Sequence, residues 1–502
     1  ANTTGTQNDA FGAFSLFTNT TGSYNVVAGA LAGYTLNGGS RNTLVGNSAG
    51  SGVTTGSDNT FLGRKAGNST TTASNNTAIG KDALFANTTG TGNTAVGSEA
   101  LDANTTGGEN TAIGRTTLSS NTTGDANTAV GRTCMFSNST GSQNTAIGRQ
   151  ALGANTTAND NTAVGYHALL SNTTGAQNAA VGSFALYVNT TASNNTALGY
   201  AALGSNTSGT LNTAVGTQAL DANTTGEQNT AVGYQSLSAN TTANFNTAVG
   251  YNCLLNNTTG TNNTAIGRAA LTLNTTAANN TAVGRDALLV TTTGGFNTAV
   301  GRQALTSVTT GEENTAVGNE SGLNITTGIQ NTFIGSESGK AVTTGERNTC
   351  LGLAAGNTIT TGDNNIVIGR DAQATSNTVD DQIILGNGGN NDLRCNDQSI
   401  GALSDSRDKT DVVDLPVGLS FINSIRPVKF KWASRDGNGH DGKIRAGFLA
   451  QELQTASTDA TYLNLVLDDN PDKLVAKYGN LIPVMVKAIQ DLSAKVTALE
   501  AA

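Results

Sequence analysis

The stretch Asn110-Thr-Ala-Ile-Gly-Arg-Thr-Thr-Leu-Ser-Ser-Asn-Thr-Thr-Gly-Asp-Ala126 decides the fold, because its pattern recurs in unbroken phase along most of the chain. From Asn8 an Asn returns every 17 residues through Asn25 and Asn42 to Asn365, making 22 copies without an insertion, and Gly stands fifth in each. So strict a period means that each copy is one coil of a β-solenoid, stacked on the last. Gln382-Ile-Ile-Leu-Gly386 continues the phase as a degraded, capping twenty-third coil.

The segment Thr111-Ala-Ile113 and its equivalents read as a short strand, in which successive side chains point to opposite faces. Yet both the third position (Ala112, Ala129, Ala146) and the fourth (Ile113, Val130, Ile147) are apolar. One face can be the inside of the coil; the other needs a partner, and another copy of the same chain is the simplest. On this reading the Ala column belongs to the contact between copies, so Ala129→Glu blocks assembly whereas Arg132 is replaceable. The fifth-position Gly fits a tight corner of positive φ. The first-position Asn column, and a second Asn in twelve successive coils from Asn87 to Asn274, are expected to stack as amide ladders. Coils with Leu at position nine usually carry Asn at position twelve, whereas those with Gly339 or Gly356 carry Val342 or Ile359, so apolar volume moves within the coil. At a rise near 4.8 Å per coil the array is expected to be a rod of roughly 105 Å.

Composition agrees with a solenoid and not with a conventional core: 62 Gly, 4 Pro, 12% charged and 5% aromatic residues in 502. The net charge of −9, with Lys and Arg scattered, makes nucleic acid an unexpected partner. No apolar run approaches the roughly 20 residues of a membrane span. The chain starts inside a repeat and without Met, so a preceding segment is expected in the full gene product. Cys134, Cys253 and Cys350 replace repeat residues and read as small buried hydrophobes; Cys395 lies outside the array. No cysteine spacing suggests a disulfide framework, and no metal or cofactor is expected.

After the repeats the composition changes: Trp432 is the only Trp and all four Pro lie beyond Ser404. The sequence Ser-Asp-Ser-Arg-Asp-Lys at 404–409, the run from Leu415 to Trp432, and Gly-Phe-Leu-Ala-Gln-Glu-Leu at 447–453 resemble the intramolecular chaperone autoprocessing domain. That family terminates endosialidase tailspikes and many phage tail fibres. The resemblance implies a trimer and a self-cleaving Ser404–Lys409 dyad that cuts between Leu403 and Ser404. Lys409 must be neutral to accept the hydroxyl proton, which requires burial; Asp405, Asp408 and Asp411 oppose this, Arg407 favours it, and burial on trimerisation has to win. At the chain's end Ile482, Met485, Ile489, Leu492, Val496 and Leu499 alternate spacings of three and four, a heptad seam for a short helix that is stable only when bundled.

The repeats themselves resemble the heads of trimeric autotransporter adhesins and the arrays of phage tail fibres. The expected organisation is a partial coil at 1–7, a mainly β, homotrimeric solenoid at 8–381, a capping coil and neck at 382–403, and a small α+β chaperone domain at 404–502 ending in a coiled-coil helix. Sixth-position residues stack in a column, among them Tyr251, Arg268 and Arg285, which read as a candidate glycan-binding surface. The competing reading is of solvated corner residues whose charge limits edge pairing. The Asn-Thr-Thr triplets match a glycosylation sequon but arise from one repeated turn. Paired Thr residues are adjacent and face opposite ways, which argues against an ice-binding ladder. The acids recur in no pair suited to cutting polysaccharide, and neither His167 nor His440 has neighbours in sequence that suggest a site.

The expected function is a bacteriophage tail fibre assembled in the host cytoplasm and carried on the virion, attached N-terminally to other tail proteins and binding a host glycan or protein. A cellular surface adhesin with the same assembly domain, or a pure spacer, are the alternatives.

Overall fold

A computed structural model describes residues 2–387, 389, 404–431, 443–468 and 474–501, in two compact units, Ala1–Glu320 and Ser321–Ala502. Leu403, Cys395, Trp432 and His440, and most of the expected neck, lie outside the described residues.

The first unit carries 19 three-residue strands, from β1 (Asp9–Phe11) to β19 (Thr315–Val317), one per coil. Neighbours pair in parallel at a constant offset of 17: between β7 (Thr111–Ile113) and β8 (Thr128–Val130), Thr111 faces Thr128, Ala112 faces Ala129 and Ile113 faces Val130. The second unit begins with four more coils of the same kind, β20 (Thr332–Ile334) to β23 (Ile383–Leu385); β23 pairs with β22 (Ile366–Ile368), so the degraded last coil does close the ladder.

One expectation is overturned. Ala112, Ala129 and Ala146 are wholly buried inside the single chain, while Ile113 and Ile147 are 40% and 42% exposed. The coil is too thin to take a branched side chain at most third positions, so Ala points in and the fourth position carries the outward apolar stripe. Ala129 therefore lies in the chain's own core and not at a contact between copies.

The Asn columns are ladders. Asn127 N–H donates to Asn110 Oδ1 at 3.0 Å, and its Nδ2 donates to that oxygen at 3.1 Å and to Gly141 O at 2.8 Å. In the second column Asn138 Nδ2 donates to Asn121 Oδ1 at 2.8 Å and to Gly141 O at 2.9 Å. Both columns are buried. A buried amide costs free energy unless bonded, and here each rung satisfies the one beside it.

The return path of the coil alternates backbone handedness. Thr116 and Leu118 have φ of +51° and +54°, as do their equivalents in other coils, a conformation that bulky L-residues normally avoid. It turns successive amides in opposite axial directions: Thr133 N–H bonds back to Arg115 O at 3.1 Å, and Met135 N–H bonds forward to Ala151 O at 3.0 Å. The fifth-position corner is stricter still, with Gly114 at φ +135° and a Cβ there placed 2.6 Å from Gly131 O. In several coils where position nine is Gly, the freed space is filled by a larger third residue: a Cβ on Gly67 would stand 2.3 Å from Phe61, and one on Gly339 2.5 Å from Phe333. Cys134, Cys253 and Cys350 are buried free thiols, each pushed up to about 12 by burial.

Beyond the coils, α1 (Leu419–Ser424), a hairpin of β24 (Val428–Phe430) and β25 (Arg445–Gly447), α2 (Ala450–Ala456), a second hairpin of β26 (Val466–Leu467) and β27 (Val475–Ala476), and α3 (Ile482–Glu500) surround a small core. Phe421, Leu453, Leu463, Leu465, Leu481 and Val484 form it. Asp491 of α3 accepts from Leu419 N–H at 3.1 Å and from Lys487 at 2.7 Å, tying α3 to the start of α1. No helix among the described residues is long and apolar enough to cross a membrane.

Candidate autoprocessing site

Ser404 opens a short turn whose shape follows from its sequence. Asp405 caps the single 3-10 turn Ser406–Asp408, its carboxylate accepting from Arg407 N–H at 2.9 Å. The Arg407 guanidinium folds back on the same carboxylate, Nε to Oδ1 at 3.0 Å and Nη2 to Oδ2 at 2.5 Å, and holds it below the usual carboxylate range. One turn of this kind reverses the chain enough to bring position 409 back over position 404. Lys409 Nζ donates to Ser404 Oγ at 2.5 Å.

The expected dyad residues are thus in direct contact, with both side chains exposed in the single chain. Of the acids that favour a charged lysine, Asp405 is already neutralised by Arg407, and Asp411 sits on a left-handed backbone at φ +53°. Immediately downstream Val412 and Val413 are 76% and 84% exposed. A hydroxyl, an amine and two apolar residues left uncovered by the described residues thus stand within ten positions. Among the described residues no cluster of His, Cys, Asp and Glu could hold a metal.

The six seam residues of α3 are each 44–78% exposed, while Val484 and Ala488, on the adjoining face of the helix, are buried against the domain. The helix is anchored by one face and leaves an apolar stripe beside it exposed.

Tyr251, Arg268 and Arg285 do form one exposed column in successive coils. Their groups do not converge: Tyr251 stacks on Tyr234 at 5.4 Å, and Arg285 is bound to Asp286 at 2.9 Å. The sequence reading missed a denser group. His167 stacks on Tyr166 at 3.7 Å and meets Phe184 and Tyr187 at 5.6 and 6.0 Å. Counting positions six, seven and ten across consecutive coils would have found it, because residues 17 to 21 apart become neighbours.

No curated protein and no solved structure matches the chain. Residues 404–462 match the family described as chaperone of endosialidase, so a chaperone domain of that kind follows the 17-residue-repeat β-solenoid in this chain.

Proposed function

We propose that this chain is the shaft and assembly module of a homotrimeric adhesive fibre, a bacteriophage tail fibre whose C-terminal domain gathers three copies and then cuts itself away. The observation that carries the proposal is the open seam from Ile482 to Leu499 in the domain that also holds the Ser404–Lys409 contact. Three α3 helices packed through that seam would set the chains in register, removing the slow search for alignment that a non-local β-array faces. The fourth-position stripe of Ile113, Val130 and Ile147 supplies an apolar surface on which the aligned coils can meet.

Chemistry would follow assembly. Covering Val412, Val413 and Lys409 by neighbouring chains would exclude water and favour the neutral amine. Lys409 then accepts the Ser404 hydroxyl proton while Oγ attacks the Leu403 carbonyl carbon; the Leu403–Ser404 C–N bond breaks, and the Ser404 nitrogen takes up the proton as the leaving amine. Water hydrolyses the resulting ester, leaving a Leu403 carboxylate and a free Ser404 N-terminus. A rod that has lost its template is kinetically trapped. The fibre would be carried on a virion, joined through an N-terminal segment to other tail proteins, and present its side to a host glycan or protein; a cell-surface adhesin could use the same machinery.

Denaturing gels test this. Wild type should release a C-terminal fragment of 99 residues, and Ser404→Ala or Lys409→Ala should give only full-length chain that still trimerises. Cleavage of Ser404→Ala at the wild-type rate would assign the cut to an external protease.

A further inference from the structure

Positions seven and ten of each coil meet at one corner of the solenoid, and in most coils they carry polar or small residues such as Thr116 and Ser119, or Gln218 and Asp221. Two neighbouring coils depart from this, with His167 at position seven of one and Phe184 and Tyr187 at positions seven and ten of the next, and position six adds Tyr166 and Tyr200 beside them. Phe184 meets Tyr166 edge-on at 5.4 Å, Tyr187 at 5.5 Å and Tyr200 at 6.1 Å. Tyr166 and Tyr200 are 39% and 53% exposed, so the rings form a platform and not a core. His167 and Phe184 hold their places on left-handed backbone, φ +58° and +59°.

The platform has a polar edge and an adjoining cleft. The Arg149 guanidinium lies over the Tyr166 ring at 5.6 Å, and Gln150 Oε1 accepts from His167 Nε2 at 2.8 Å. Burial, and next the Arg149 charge, lower the His167 pKa and so favour the uncharged ring. One coil earlier, position ten is Gly153, and the missing side chain opens a cleft of about 400 Å³ between Phe136 and Leu170, with Gln150 also lining it. Gln150 joins cleft and platform.

We propose that this corner, from Phe136 to Tyr200, is a binding site for a short pyranose oligosaccharide. Flat aromatic rings take the apolar faces of sugar rings at little conformational cost, while Arg149 and Gln150 can bond hydroxyl or carboxylate substituents. A coil step of about 4.8 Å lets successive sugars follow successive coils. The site is not a contact between copies, because such a contact would repeat with the 17-residue period as the fourth-position stripe does. It is also too small for a protein partner: five coils span about 19 Å, and one corner of that length falls short of the roughly 1,000 Å² that a stable protein interface needs. A second aromatic group, Phe14, Phe17 and Tyr34, occupies the same columns in the first coils but has no guanidinium over its rings among the described residues.

The inference deepens the adhesive reading and relies on it for the ligand's cellular source. Saturation-transfer NMR on the full chain with maltotriose, chitotriose and 3′-sialyllactose tests the site. At least one should bind, and Tyr166→Ala should weaken it about tenfold or more. Gly153→Leu fills the cleft with a side chain that the next coil already carries at this position, and should do the same without unfolding the coil. Phe296→Ala, at an exposed ring in a distant coil, should leave binding unchanged. No binding by any of the three, or binding indifferent to both site variants, overturns the proposal. Attachment of labelled fibre to bacterial cells, measured in parallel, separates the two readings. Attachment equal in wild type and both site variants removes this site and leaves adhesion standing, whereas saccharide binding without attachment supports the site and removes adhesion.

Discussion

The coils and the chaperone domain solve the problem of burying apolar surface in opposite ways. A coil closes on small residues, Ala112 and Leu118 inside with Asn110 and Asn121 bonded to their counterparts above and below, so each layer is completed by identical neighbours in its own chain. The chaperone domain closes a small core around Phe421 and Leu453 yet leaves Ile489 and Leu499 at 66% and 78% exposure. The lesson is that repetition along a chain lets the chain be its own partner, whereas this non-repeating domain leaves an apolar helix stripe that the described residues do not cover.

The sharpest way to break the comparison is to place one charge on either side of the same strand. Ala129→Glu puts a carboxylate into the interior and should cost the single chain more than about 4 kcal/mol. Val130→Glu puts it on the outward stripe and should leave single-chain stability within about 1 kcal/mol while blocking assembly. Circular-dichroism melts and light scattering separate these outcomes, and equal destabilisation by both would remove the distinction between inner and outer faces.

Next in size is exchange of volume within a coil. Phe61→Ala should cost about 3–5 kcal/mol through the cavity it leaves, and Gly67→Leu about 1–3 kcal/mol or more through collision with the Phe61 ring. Together they rebuild the common Ala–Leu coil, so the double variant should be more stable than either single one; additive losses in a double-mutant cycle would show that the two positions do not share space.

On the other side of the comparison, Ile489→Asp with Leu492→Asp should leave the helical signal of the chaperone domain intact and abolish both oligomerisation and release of the C-terminal fragment. Cleavage at the normal rate by a monomeric variant would sink the idea that assembly precedes chemistry. The smallest effect is expected from acid. Asp491 is held below the usual carboxylate range chiefly by Lys487 and next by the Leu419 amide. A depressed folded-state pKa stabilises above the unfolded value of about 3.9 and is lost as pH falls through the folded one. The Leu419 amide resonance should therefore be constant from about pH 7 to 5 and move only below about pH 4, and Asp491→Asn should abolish that movement.

The strand, the Gly corner and both Asn ladders were legible because a fixed period converts spacing directly into adjacency. The direction in which the strand faces was not: with Ala112 and Ile113 both apolar, alternation allows either to point inward, and only the cross-section of the coil decides for the smaller. Nor was the left-handed backbone at Leu118 legible, since it is imposed by bonds to the next coil and runs against the residue's own preference. At the candidate site, the spacing of Ser404 and Lys409 carried its contact with it, but the pairing of Arg407 with Asp405 depends on a cap that the sequence does not single out. The aromatic corner was missed because Tyr166 and His167 find Phe184, Tyr187 and Tyr200 only through the stacking of layers.

The Asn ladder has a further consequence, for inheritance. In the column from Asn87 to Asn274 each later amide donates to the earlier one, and the run ends where Asn274 Oδ1 is buried without a partner. The bordering hydroxyls, Thr70 Oγ1 on one side and Thr291 Oγ1 on the other, are unpartnered too. These defects belong to the two boundaries and not to the rungs between them. Duplicating or deleting one 17-residue unit inside the run adds or removes a satisfied rung and leaves the number of defects unchanged, so recombination between near-identical copies can alter the length of the array without a penalty in folding.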